Sequence, residues 1–212
     1  MTAIWGPLGW MTLHSVATSY PEQPTPSEKA LMNSWLDMFA DTITCPHCQQ
    51  HFKDMLANYR ARFPNMLASR QTFSMFTFRA HNAVNRRLNK PMYSTLDECM
   101  ETLRNNIKSR SAADYRVAYI NHITRYWRTL QDINGIVAIK KINEMKKIEM
   151  EYIMSRDTKF QITLQPDVVV LPRDVLEPNA EPPRMNMPRI PRMPLNVSAG
   201  FRIGPGGLQL RR

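Results

Sequence analysis

Cysteine is scarce in this chain, three residues in 212. A small secreted domain stapled by disulfides uses many more, so that class is excluded, and the thiols present are left for chemistry in a reducing, cytoplasmic setting. No stretch of about eighteen apolar residues occurs, which leaves no candidate membrane-spanning helix. Trp5, Trp10 and His14 interrupt the N-terminus, so there is no basic segment followed by an apolar one, and a cleaved secretory signal is not expected. Strongly alternating strand patterns are missing from the first hundred residues. Acidic side chains are in deficit, with 18 Asp and Glu against 28 Lys and Arg, a net charge of +10. The excess is uneven: 10 basic against 8 acidic residues over 1–104, 11 against 6 over 105–165, and 7 against 4 over 166–212. Such a surplus keeps a chain soluble and offers a surface to an acidic partner, a nucleic acid or a membrane face.

Two polar signatures stand out. Cys45 and Cys48, in Thr44-Cys-Pro-His-Cys-Gln49, form a dithiol that can close across one turn. At a helix N-terminus the positive end of the dipole favours thiolate, Pro46 suits a first helical turn, and His47 adds potential positive charge beside the sulfurs. A Cys-x-x-Cys pair serves redox chemistry or binds metal, and by itself does not say which. The second signature is His81-Asn82-Ala-Val84-Asn85-Arg-Arg-Leu88-Asn-Lys90-Pro91.

Prolines at 21, 24, 26 and 64 separate several helical patterns between Trp5 and about Leu103. Ser27 before Glu28, Leu31, Trp35, Met38 and Phe39 reads as an N-capped amphipathic helix of about fifteen residues. A second helix begins at the cysteines and carries Phe52, Met55, Leu56 and Tyr59, and a third spans Ser74–Leu88. Residues 111–157 read as a helical hairpin with one stripe from Tyr115 through Tyr119 and Ile123 to Trp127. A second stripe follows Asn134-Gly135, running from Ile136 through Ile142 and Met145 to Tyr152. These stripes are packing faces, and His122 is a core or interface residue. From Pro166 onward lie nine of the sixteen prolines, which favours extended or disordered chain. We therefore divide the chain into 1–104, a helical extension over 105–160, and a Pro/Arg-rich tail over 161–212.

Taken in order, Trp5-Gly6-Pro7-x-x-Trp10-x-x-Leu13-His14, then Cys45-x-x-Cys48, then the His81–Pro91 segment closely resembles the Erv/ALR family of FAD-dependent sulfhydryl oxidases. The resemblance covers roughly the first hundred residues and looks most like members encoded by large cytoplasmic DNA viruses. It implies an all-α fold, a four-helix bundle with a short fifth helix, often a homodimer. It implies electron flow from thiols through Cys45-Cys48 to FAD and then dioxygen, with release of hydrogen peroxide. By motif position Cys48 is the flavin-proximal sulfur and Cys45 the acceptor of the incoming thiolate. Gly6, Trp10, His14 and Tyr20 match walls around the flavin. His81, Asn82, Val84, Asn85 and Lys90 match the segment around adenine, ribose and pyrophosphate. His51, three residues after Cys48, and Phe76, an aromatic where relatives have Trp, are further candidates for cofactor binding. Partners implied are a thiol-containing client or a thioredoxin-like relay protein, in a host cytoplasm or at a virus assembly site. Packaging in the virion, or attachment to another acidic partner through the basic extension, is a further option.

Departures from the family pattern also carry information. Phe78 and Thr95 stand where many relatives carry a second, structural cysteine pair, and aromatic packing of Phe76 and Phe78 is expected to replace that staple. No tryptophan matches near Thr102 and Leu103. Cys99, the remaining cysteine, has no partner for a shuttle disulfide and is expected to be buried in a helix. A Cys45-Cys48-His51 metal set lacks an obvious fourth ligand, so no metal is expected. Two rival functions stay open: a thioredoxin-like disulfide exchanger, which predicts a β-strand before Cys45, and a virion scaffold protein carrying an oxidase-like domain.

Overall fold

The structure, a computed structural model, describes residues 2–156, the side chains of residues 2–4 excepted. Seven α-helices follow in order: α1 (Thr2–Ser19), α2 (Pro26–Thr42), α3 (Pro46–Arg62), α4 (Arg70–Arg87), α5 (Leu96–Asn106), α6 (Ala112–Thr129) and α7 (Ile133–Ile148). A π-helical turn, Glu149–Ile153, continues α7. Among the described residues there is no strand, so the all-α expectation holds there. No described helix is long and apolar enough to cross a membrane. The tail over 161–212 lies outside the described residues.

Local chemistry sets the helix starts, not always where the sequence suggested. The cap of α2 is Thr25, not Ser27: with Pro26 in the first turn, the Thr25 side chain accepts the Glu28 N–H while Glu28 reaches back to the Thr25 N–H. Helix α4 begins at Arg70, a turn before Ser74, because Ser69 and Thr72 form the same reciprocal box. It ends where Asn89 adopts φ 52, a left-handed conformation that Asn tolerates. Asn134-Gly135 is not the break between α6 and α7: Asp132 caps α7 through the Gly135 N–H at 2.8 Å, so both residues lie in its first turn.

The helices pack so that α1 lies between α4 and α6, and α7 between α6 and α2, with α3 against α2. Paired contacts give the directions. Tyr20 meets Phe73 and Trp10 meets His81, so α1 and α4 run antiparallel. Asp41 pairs with Lys141 while Glu28 accepts from Tyr152, so α2 and the α7–π segment also run antiparallel. The main core holds Leu13, Val16, Leu36, Phe39, Phe73, Phe76, Tyr119, Ile142 and Met145. Expected inward, Ile136 is instead 58% exposed, because the buried face of α7 runs through Gly135, Ala138, Ile142 and Met145 and Ile136 lies off it.

A second, smaller core lies under α5, built from Met11, Leu96, Cys99, Met100 and Leu103, with Phe78 packed against it. Thr95 caps α5 through the Glu98 N–H. The two positions that lack the family's cysteine staple are thus a packing aromatic and a helix cap. Phe76 serves the main core instead.

Candidate active site

Helix α3 begins on the redox pair. Cys45 and Cys48 form a disulfide with Cα atoms 5.2 Å apart. Cys45 is the N-cap, its Sγ accepting the Cys48 N–H at 3.3 Å, and Pro46 occupies the first turn without a wasted donor. In the reduced pair, the same N–H and the helix dipole favour negative charge on Cys45. Beside this motif Arg87 of α4 reaches over, its guanidinium 3.0 Å from His47 Nε2, and so brings a second basic side chain to the disulfide.

A cavity of about 290 Å³ opens beside the disulfide. Cys48 lines it and Cys45 does not. Of the other sequence candidates, Gly6, Trp10, His51, His81, Val84, Asn85 and Lys90 line it, brought together from α1, α3, α4 and the loop after α4. Four others do not. His14 is fully buried behind His81, and Asn82 is spent on the backbone of Tyr93, donating to its carbonyl at 2.8 Å and accepting its N–H at 2.9 Å. Tyr20 is buried with its hydroxyl on the Leu67 carbonyl, and Phe76 packs edge-on to Tyr59. Sequence reasoning missed Phe39, Arg87, Tyr93 and Leu103 as lining groups. Arg87 had a signal in the basic run before Lys90; Phe39 and Leu103 had none, since each also fits a core stripe, and Tyr93 had none because it stands in the loop between α4 and α5.

One committed proton orders the buried polar chain behind the cavity. With the Thr77 proton assigned to the Ser74 carbonyl at 2.9 Å, the hydroxyl oxygen, 3.0 Å from His14 Nδ1, accepts from Nδ1–H. His14 Nε2 is then unprotonated and accepts His81 Nδ1–H at 3.0 Å, leaving Nε2 as the bare nitrogen of His81. Burial first, and each other's proximity next, hold His14 well below the ordinary imidazole range. His81 is lowered to about 4 by burial and by Lys90. Trp10 stacks on His81 with centroids 4.2 Å apart. Cys99 Sγ lies 3.9 Å from His14 Nε2, and its thiol is pushed up to about 12, chiefly by burial. As expected, Cys99 is a buried free cysteine.

The lining itself describes a ligand. Ring faces of Trp10 and Tyr93 suit a flat aromatic group, and Arg87 and Lys90 suit a polyanion. At Gly6 an added Cβ would meet nothing within 4 Å, so the wall is open there. The Trp5 indole N–H, also in the wall, is buried with no partner among the described atoms, a donor waiting for an acceptor.

The sequence profile of the Erv1/Alr family matches residues 8–112. A protein of Invertebrate iridescent virus 3 is 35% identical over 88 residues, 42% of this chain and 58% of the relative. The FAD-linked sulfhydryl oxidase of an African swine fever virus isolate is 34% identical over 90 residues, 42% of this chain and 72% of the relative. The chain belongs to the Erv1/Alr family. The mitochondrial FAD-linked sulfhydryl oxidase ERV1 of Saccharomyces cerevisiae is 36% identical over 88 residues, so viral and yeast Erv1/Alr relatives stand at the same distance. The match covers 58% of the iridescent-virus relative and 44% of the yeast one. It spans α1 to α5 and stops at the first residue of α6.

Proposed function

We propose that this Erv1/Alr chain is an FAD-linked thiol oxidase that makes disulfides in client proteins. One observation carries the reading: Cys48 of the disulfide lines the same cavity as Trp10, His81 and Asn85. The wall described above fits FAD, with the rings for its flat systems and Arg87 and Lys90 for its diphosphate. When bound, FAD supplies the two-electron acceptor for the reduced dithiol and the means of passing electrons to dioxygen.

The chain's own work is thiol–disulfide exchange. A client thiolate attacks Cys45 Sγ, the Cys45–Cys48 bond breaks, and its electron pair leaves on Cys48 Sγ. A second client thiolate then attacks the client sulfur of the mixed disulfide. The client leaves oxidised, with Cys45 as the departing thiolate, which its N-cap position stabilises. The reduced pair holds Cys48 against the cavity. His14, Thr77 and Cys99 form the dry backing that keeps His81 neutral and fixed.

We further propose an Erv-type four-helix bundle built from α1 to α4 with α5 as the fifth helix. Proposed partners are a thiol client or thioredoxin-like relay, dioxygen, and a second copy of the chain. A viral origin with action in a host cytoplasm is the setting this reading favours. The thioredoxin-like alternative loses its support, because α2, not a strand, precedes Cys45.

The purified full chain should be yellow, and with dithiothreitol in air should consume oxygen and release peroxide. Cys48→Ser should keep the flavin and lose turnover. A colourless chain that cannot be loaded with FAD would sink this reading and put the scaffold role first.

A further inference from the structure

The helical extension touches the site at three places. Trp127 Nε1 of α6 donates to the Thr42 carbonyl at 2.9 Å. Lys141 of α7 pairs with one oxygen of Asp41, whose other oxygen takes Lys53 of α3 at 2.6 Å. Tyr119 stacks on Phe39 at 5.3 Å and would lie 3.4 Å from a Cβ at Gly9, and both of those residues line the cavity. None of Tyr119, Trp127 or Lys141 falls within the family match, which ends at residue 112.

The first two contacts fall on Asp41 and Thr42, the last residues of α2 before the short link to Cys45. A helix leaves its last carbonyls without partners, and α2 ends at Thr42. The Gln49 side-chain amide takes the carbonyls of Asp41 at 2.6 Å and Ile43 at 3.4 Å. The Thr42 carbonyl between them is left to Trp127, and the Thr42 hydroxyl lies 3.7 Å from Met145 Sδ of α7. The carbonyls of Asp41, Thr42 and Ile43 are therefore each held by a side chain, and that of Thr42 by the extension.

We infer that Trp127 and Lys141 are positioning residues of the thiol–disulfide site: the α6–α7 hairpin fixes the Asp41–Cys45 segment so that Cys45 meets a client thiolate while Cys48 faces the cavity. This rests on the oxidase reading for its purpose but not for its test. Closing a disulfide is favoured when the two sulfurs are already held within reach, so loosening the segment shifts the pair toward the dithiol.

The experiment is the thiol–disulfide equilibrium of Cys45–Cys48 in the full chain, set with glutathione buffers and read by trapping free thiols and weighing the products. It needs neither flavin nor turnover, so a chain without FAD would defeat the oxidase reading and leave this result standing. Trp127→Phe keeps a ring and deletes the donor; it should move the equilibrium toward the dithiol by roughly three- to tenfold, the range of one net hydrogen bond. Lys141→Gln should move it in the same direction by less. Ile153→Val, a fully buried change in the π-helical turn, should lower stability and leave the equilibrium alone. Should Trp127→Phe fail to fold, Lys141→Gln decides, since its side chain is 35% exposed. Equilibria within about twofold of wild type in every folded variant, below what one bond is worth, would overturn the inference.

Discussion

Along Thr77, His14 and His81, each hydrogen bond takes its direction from the one before it, so a change at Thr77 acts on His81 without touching it. Thr77→Val leaves His14 Nδ1–H buried without an acceptor, at a cost of about 1–3 kcal/mol. It also frees His14 to flip tautomer and His81 with it. Nitrogen chemical shifts of the two imidazoles should show His81 protonated on Nδ1 alone in wild type and a mixture in the variant. Unchanged shifts would mean that Thr77 does not order the chain. The same pair makes stability depend on pH. Both folded imidazoles titrate below their unfolded value near 6.5, His81 at about 4, so the unfolded chain binds more protons between those values. Stability is therefore full above about pH 6.5 and is lost progressively as pH falls toward 4. Urea midpoints taken from pH 7 down to pH 5 should fall, and His81→Gln should flatten that slope.

Helix ends set two further expectations at the scale of elements. In α2 the Thr25–Glu28 box satisfies donors that the helix cannot, and Thr25→Ala should cost about 1 kcal/mol in thermal or urea unfolding, whereas Ser27→Ala should cost almost nothing. Gly135 is needed for a close approach and not for a turn. A Cβ there would stand 2.1 Å from the Leu130 carbonyl oxygen and 3.0 Å from that of Trp127, both backbone atoms that cannot step aside. Gly135→Ala should destabilise by about 1–3 kcal/mol, and the α6–α7 corner should show it first as faster amide exchange around Leu130.

The described residues are tied together as a whole by a buried ion pair. Arg116 of α6 is 2% exposed and presents Nε to both oxygens of Glu149, at 2.8 and 2.9 Å, with Nη1 reaching Ser15 Oγ of α1. Three elements meet there, so Glu149→Ala should cost about 3–5 kcal/mol by leaving a buried guanidinium without its partner. The double change Arg116→Met, Glu149→Leu should recover most of that loss, since no charge is then stranded. A double variant no more stable than the single one would show that the pair does more than neutralise itself.

The sequence alone was enough to determine what depends on neighbours along the chain. Caps, proline breaks and 3.6-residue stripes placed the starts of α2, α3 and α4 to within about a turn, and the Cys-Pro-His-Cys run marked a close dithiol at a helix start, since dipole and spacing act over a few residues. The three ordered signatures that carry the family likeness were legible for the same reason, each being a short run of neighbours. Only the tertiary structure decided that His14 backs His81 while Trp10 stacks on it, because α1 and α4 meet antiparallel and sixty-seven residues separate the two histidines. It also decided that Asn82 is spent on a loop, that Arg87 comes to His47 beside the disulfide, and that a hairpin beyond the family match grips the end of α2 before Cys45. Those outcomes depend on which faces of distant helices come together, and an amphipathic stripe says that a face is buried without saying against what.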